Sequence, residues 1–185
     1  MRIKVIMAAL PLVLAGCQNN SVPVVDDAGN VHYTASMDSD SRGSFAFPSS
    51  QTATGHKVFV FDPNIPAWAA YDANGQLIKT GSASGGRDFC PDVNHECRTV
   101  TGTYHVYSKK GPECTSSVYP IETNGGAKMP YCMHFYQGYS IHAAYEVPKW
   151  NASHGCIRVL PDAARWLNQE FMNIGTTVIV KPYSS

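Results

Sequence analysis

The chain has 185 residues, and its 14 lysines and arginines balance 14 aspartates and glutamates. That size suits one domain with a substantial core, and with a zero formal charge nothing points to nucleic acid, whose binding calls for a basic patch. Low charge content together with 15 Gly, 12 Pro and 10 Tyr points to a β-rich, turn-rich extracytoplasmic domain.

Residues 1–16 pair a short basic region at Arg2 and Lys4 with an apolar run from Val5 to Leu14, the pattern of a secretory signal peptide. The run is too short to span a bilayer, which takes about 20 apolar residues. It ends in Leu14-Ala15-Gly16-Cys17, which resembles a bacterial lipobox. That resemblance implies cleavage before Cys17, lipidation of Cys17 and a periplasmic protein anchored to the outer membrane. Residues 17–55 are rich in Ser, Asp, Asn, Gly and Thr without a sustained period and read as a flexible tether.

From residue 56 onward strands follow one another. Residues 57–61 (KVFVF) form one, and 68–81 (WAAYDANGQLIKTG) form two around the hairpin dipeptide Asn74-Gly75. Residues 101–110 alternate as one further strand, 131–145 hold two short strands meeting at Gln137-Gly138, and 175–182 form a β-branched closing strand. Helical spacing is confined to 161–175, where Ala163, Trp166, Leu167, Glu170 and Phe171 recur at three- and four-residue steps between Pro161 and Gly175. The expected architecture is therefore mainly β with one short helix.

Apart from Cys17, five cysteines remain, and an oxidising compartment favours pairing. Cys90 with Cys97 and Cys114 with Cys132 are the simplest of several connectivities. Cys156 is then unpaired. It sits in "SHGCIRV", where Gly155 permits a tight turn whose Gly155 and Cys156 amides can converge on an oxyanion. Arg158 shares its face if the chain leaves the turn extended, and can lower the thiol pKa or hold a substrate carboxylate. Either His142 or His154 can serve as base. A zinc site built from His142, His154 and Cys156 lacks the close ligand pairs of structural zinc motifs, so no metal or other cofactor is expected.

"IHAAYEVPKWNASHGCIRV" (141–159) resembles the signature of the L,D-transpeptidase catalytic domain family, whose fold is YkuD-like. "LIKTG" (77–81), "TVTGTYHV" (99–106) and "MPYCMHFYQGYSIHA" (129–143) resemble further segments of that family in the same order, so the likeness runs from about Lys57 to Tyr183. The resemblance implies a β-sandwich of mixed sheets over 56–185, with the helix just after the cysteine turn. It makes Cys156 the nucleophile and His142 the base, oriented through the main chain of Ala143. His154 and Gly155 belong to the oxyanion turn, while Arg158, Ser153 and Tyr131 contact substrate or support the turn. The separation from His142 to Cys156 is shorter than usual in the family, which implies a trimmed acceptor-side loop. "CPDVNHEC" (90–97) is an insertion without an evident purpose.

The implied reaction is transfer of a peptidoglycan tetrapeptide stem to an amine, with release of the terminal D-alanine. The acceptor is another stem or a lipoprotein; with water the site is an L,D-carboxypeptidase or cross-bridge hydrolase. A sortase-like transpeptidase and a non-catalytic cell-wall-binding lipoprotein are the alternatives from other classes.

Overall fold

The computed structural model describes residues 21–25, 31–35 and 46–184; the signal peptide and Cys17 lie outside them. Within the segment read as a tether, β1 (Ser21–Val25) and β2 (Val31–Ala35) pair antiparallel, Ser21 opposite Ala35. Their Val-containing runs are too short to set up a visible period.

The remaining strands are β3 (Val58–Asp62), β4 (Ala67–Tyr71), β5 (Leu77–Ser84), β6 (Gly102–His105), β7 (Ser108–Lys109), β8 (Met133–Tyr136), β9 (Tyr139–Ala143), β10 (Ile157–Val159) and β11 (Thr177–Val180). They form one mixed nine-stranded sheet in the order β6-β11-β3-β4-β5-β10-β9-β8-β7. β5 is shared between its halves: Leu77 to Ser82 pair with β4, while Ala83 and Ser84 pair with β10. The expected single strand over 101–110 is broken at Val106 and Tyr107, and its two pieces occupy opposite ends of the sheet order. Two residues can bridge the two edges because the sheet curls until they nearly meet. Tyr104 on β6 and Phe135 on β8 touch across that closure, ring centroids 5.7 Å apart.

Inside the curl lies the main core, built on Phe59, Phe61, Trp68, Met133, Ile141, Ile157 and Val159. A helix over Pro161–Trp166 (α1) follows the cysteine turn, with Pro161 in its first turn, and passes into a π-helical turn at Leu167–Phe171. Ala163, Ala164, Leu167 and Phe171 are buried, whereas Glu170 faces solvent despite its helical spacing. The wider π turn buries Asn168 as well. Its Nδ2 donates to the carbonyls of Lys110 and Tyr131 at 3.1 and 3.2 Å, tying the helix to the base of the segment between Cys114 and Cys132.

β3 is buried on both faces. Phe59 and Phe61 enter the main core, while Val58 and Val60 join Ala67, Ala69 and Tyr71 in a second cluster closed by Phe47. The packed body thus begins ahead of residue 56. The Leu77 amide donates to the Ser49 carbonyl at 2.9 Å, the Gln51 amide to Gly75 at 2.8 Å, and the Tyr71 hydroxyl to Pro48 at 3.0 Å. Phe47→Ala should lower unfolding stability by about 3 kcal/mol, seen as a lower urea midpoint at an unchanged slope. An unchanged midpoint would show that the 47–51 segment merely rests on the sheet.

Candidate active site

β9 and β10 run parallel, with Ile157 opposite Ile141 and Arg158 opposite His142. Ile141, Ile157 and Val159 point into the core. Because side chains alternate along a strand, Ser140 and His142 on β9, Arg158 on β10 and Cys156 immediately ahead of β10 share the other face. Cys156 stands level with Ser140 and diagonal to His142, a separation that an imidazole can bridge. All but Ser140 line one cleft of about 1190 Å³, together with Tyr131, Ala143, Ser153 and His154. The expected site residues around the nucleophile are thus gathered at one place.

Cys156 is free, and Cys90–Cys97 and Cys114–Cys132 are disulfides. The thiol is partly exposed. Burial pushes its pKa up, against the opposing pull of the Ser140 hydroxyl and amide and of the Arg158 charge. The Ser140 hydroxyl lies 3.6 Å from Sγ. His142 is buried, 7% exposed. Its Nδ1–H donates to the Ala143 carbonyl at 2.8 Å, which leaves Nε2 with the lone pair. Ala143 is fixed in turn by its amide, which donates to the Pro130 carbonyl at 2.8 Å. This bond accounts for the Met-Pro-Tyr segment lying beside the histidine. Burial and the facing Arg158 push the His142 pKa down to about 4, although the Ala143 bond raises it. Thiol and imidazole are accordingly both neutral at neutral pH.

The cysteine turn is stitched to the chain leaving β5. The Ser153 amide donates to Gly85 at 2.9 Å, and the Arg87 amide to Ser153 at 3.0 Å. Thr99 is buried in the seam; its hydroxyl accepts from the Gly86 amide at 2.9 Å and donates to the Gly155 carbonyl at 2.8 Å. Gly155 has φ +123°, and a Cβ there would lie 2.8 Å from the Tyr139 ring. At Gly86 a Cβ would sit 1.7 Å from the Cys97 carbonyl oxygen, so three backbone segments meet with no room for side chains.

One expectation changes and another is narrowed. The Gly155 amide donates to Ser153 Oγ at 3.0 Å instead of facing an oxyanion. Ser153 is 2% exposed, and its hydroxyl also donates to the Cys156 carbonyl at 2.6 Å. It braces the turn from inside, one of the two roles the resemblance implies for it. Arg158, in contrast, is half-buried in the cleft and makes no hydrogen bond or ion pair among the described residues. Sequence reasoning missed Ser140, Thr99 and Asp92. The alternation of β9 could have pointed to Ser140, but the other two meet the site through tertiary contacts alone. Asp92 Oδ2 accepts from His154 Nε2 at 2.6 Å. Cys90, Asp92 and His154 place ligand-type atoms within 4.8 Å of one another, but the Cys90 sulfur is bonded to Cys97 and is no thiolate ligand.

No curated protein matches the chain. Solved structures share its fold. An L,D-transpeptidase from Xylanimonas cellulosilytica superposes with a TM-score of 0.61 at 25% identity over 74% of this chain and 66% of that one. L,D-transpeptidase 3 from Mycobacterium tuberculosis, in complex with a faropenem-derived adduct, gives 0.56 at 24% identity over 68% and 60%. LD transpeptidase LdtMt1 in complex with imipenem gives 0.53 at 23% identity over 67% and 58%. The chain thus spans less than two thirds of each of these proteins. The family model for the L,D-transpeptidase catalytic domain, YkuD, matches residues 57–180, which include the strand pair, the cysteine turn and the helix behind them; the chain belongs to that family.

Proposed function

We propose that the protein is a peptidoglycan L,D-transpeptidase that works through a thioester on Cys156. The observation that carries this reading is the free thiol on one strand face with an imidazole whose Nδ1–H is held by the Ala143 carbonyl. His142 Nε2 takes the thiol proton as sulfur attacks the carbonyl of the third residue, a diamino acid, of a tetrapeptide stem. The C–N bond to the terminal D-alanine breaks, and the same imidazole returns the proton to the departing amine. The oxyanion is assigned to the Cys156 amide, since that of Gly155 is engaged within the turn. Arg158 offers its half-buried guanidinium in the cleft to a stem carboxylate. An amine on a second stem or on a lipoprotein then resolves the thioester. The lipobox-like pattern of residues 1–17 supports a lipid-anchored, periplasmic location for this chemistry.

Incubation of the full chain with imipenem should add one drug mass, lost in Cys156→Ser. A tetrapeptide muropeptide should lose D-alanine and yield a dimer. Absence of both adduct and product, or an adduct that survives Cys156→Ser, would overturn the assignment; a trimmed monomer would redirect it to a carboxypeptidase. His142→Gln should slow acylation by about 10²- to 10⁴-fold.

The pH profile is a separate check. Protonation of His142 removes the acceptor lone pair, so activity is lost as pH falls through its pKa. With that pKa at about 4, the imipenem acylation rate should stay flat from about pH 5.5 to 7.5 and decline only in stronger acid. An inflection near the ordinary histidine value of 6.5 would contradict a neutral, desolvated base. Arg158→Gln removes the facing positive charge and should move the acid limb to higher pH.

A further inference from the structure

The insertion at 90–97 and the histidine of the cysteine turn have no role in acylation by His142, yet they meet over the cleft. The 90–97 loop is closed by the Cys90–Cys97 disulfide. It is stiffened by the Cys90 amide donating to His95 at 2.9 Å, and Cys90 and Cys97 are both buried at its base. At one end the loop abuts the turn, since a side chain on Gly86 would run into both the Cys97 carbonyl and the Gly155 Cα. From its tip Asp92 reaches His154, bonding Nε2 at 2.6 Å. That bond also holds the Asp92 carboxyl below its usual range. The Tyr119 ring covers the imidazole with centroids 4.7 Å apart, and its side chain lines the cleft with His154 and Cys156. One nitrogen is thus bonded and the ring is flanked. Nδ1 remains, with no hydrogen bond among the described residues and with the lone pair that an Nε2–H tautomer implies.

We propose that Asp92 is a positioning residue that holds His154 as the acid–base group of the second half-reaction, and that the disulfide-closed loop is its mount. This rests on the thioester route above. The neutral acceptor amine bonds through nitrogen to the thioester carbonyl carbon, and His154 Nδ1 takes one of its protons. The C–S bond breaks, and the released Cys156 thiolate recovers that proton from the imidazolium, leaving an amide and a free thiol. The division of labour follows from the two histidines' surroundings. His142 is buried against the nucleophile, whereas His154 is at the accessible mouth with 24% of its side chain exposed, where an incoming acceptor arrives.

The test separates the half-reactions in the full chain by time-resolved intact mass, with a tetrapeptide muropeptide as donor and an excess of a second stem as acceptor. Asp92→Asn should form the acyl-enzyme within about threefold of the wild-type rate but resolve it roughly tenfold or more slowly, the range general acid–base loss allows. The acyl-enzyme then accumulates. Asp92→Glu should restore much of the resolution rate, and Cys90→Ser/Cys97→Ser should reproduce the Asp92→Asn phenotype. Equal slowing of both half-reactions would make the pair a strut for the turn and overturn the proposal, as would unchanged resolution. Failure of wild-type protein to acylate at all would instead refute the thioester route itself, which the imipenem adduct reports independently.

Discussion

Everything at the site depends on one register: Ile157 against Ile141 in the parallel pairing of β10 with β9. Side-chain alternation then puts Cys156 and Arg158 on the same face as Ser140 and His142, while Ile157 and Val159 anchor the short strand from below. A slip by one residue would turn the thiol into the core and an isoleucine into the cleft. β10 has three residues and little pairing of its own, so the register must be imposed from elsewhere. The two alternate core residues, the antiparallel contact with the end of β5, and the welded turn before it supply that constraint.

The weld is an economical use of small groups. The Thr99 hydroxyl serves both the Gly86 amide and the Gly155 carbonyl, and the Ser153 hydroxyl serves the Gly155 amide and the Cys156 carbonyl. The Gly86 and Gly155 amides and the Gly155 and Cys156 carbonyls thereby meet partners within the protein, as buried polar groups require. Rigidity of this kind matters more to acyl transfer than any single contact, because the reacting atoms must be held to within a fraction of an ångström.

Much of this was legible in the sequence, for reasons particular residues make plain. β3, β4, β9 and β11 announce themselves through β-branched and aromatic runs, and Asn74-Gly75 marks the hairpin between β4 and β5. The Ser-His-Gly-Cys turn and the upstream histidine were recognisable as a motif. Hidden were features that local pattern does not encode. β10 is too short to show a period, Phe47 finds its cluster only once β3 and β4 expose a second apolar face, and 101–110 is uniform in composition yet crosses between sheet edges. Asp92 lies 62 residues from His154, and nothing within eight residues of an acidic loop reveals which imidazole it will meet. For Ser153 the motif left two roles open, because it shows that a hydroxyl is required and not whether it faces inward or outward; the bonds it makes are those of a support for the turn.

The elevated thiol pKa has an effect outside the reaction cycle. Disulfide exchange and peroxide oxidation proceed through the thiolate, and this sulfur is protonated unless a neighbouring base removes its hydrogen in the presence of a substrate. Four other sulfurs of the same chain are already oxidised. Local desolvation thus serves as chemical insulation, slowing oxidation, relative to an exposed thiol of ordinary acidity, of the one cysteine that the chemistry needs reduced.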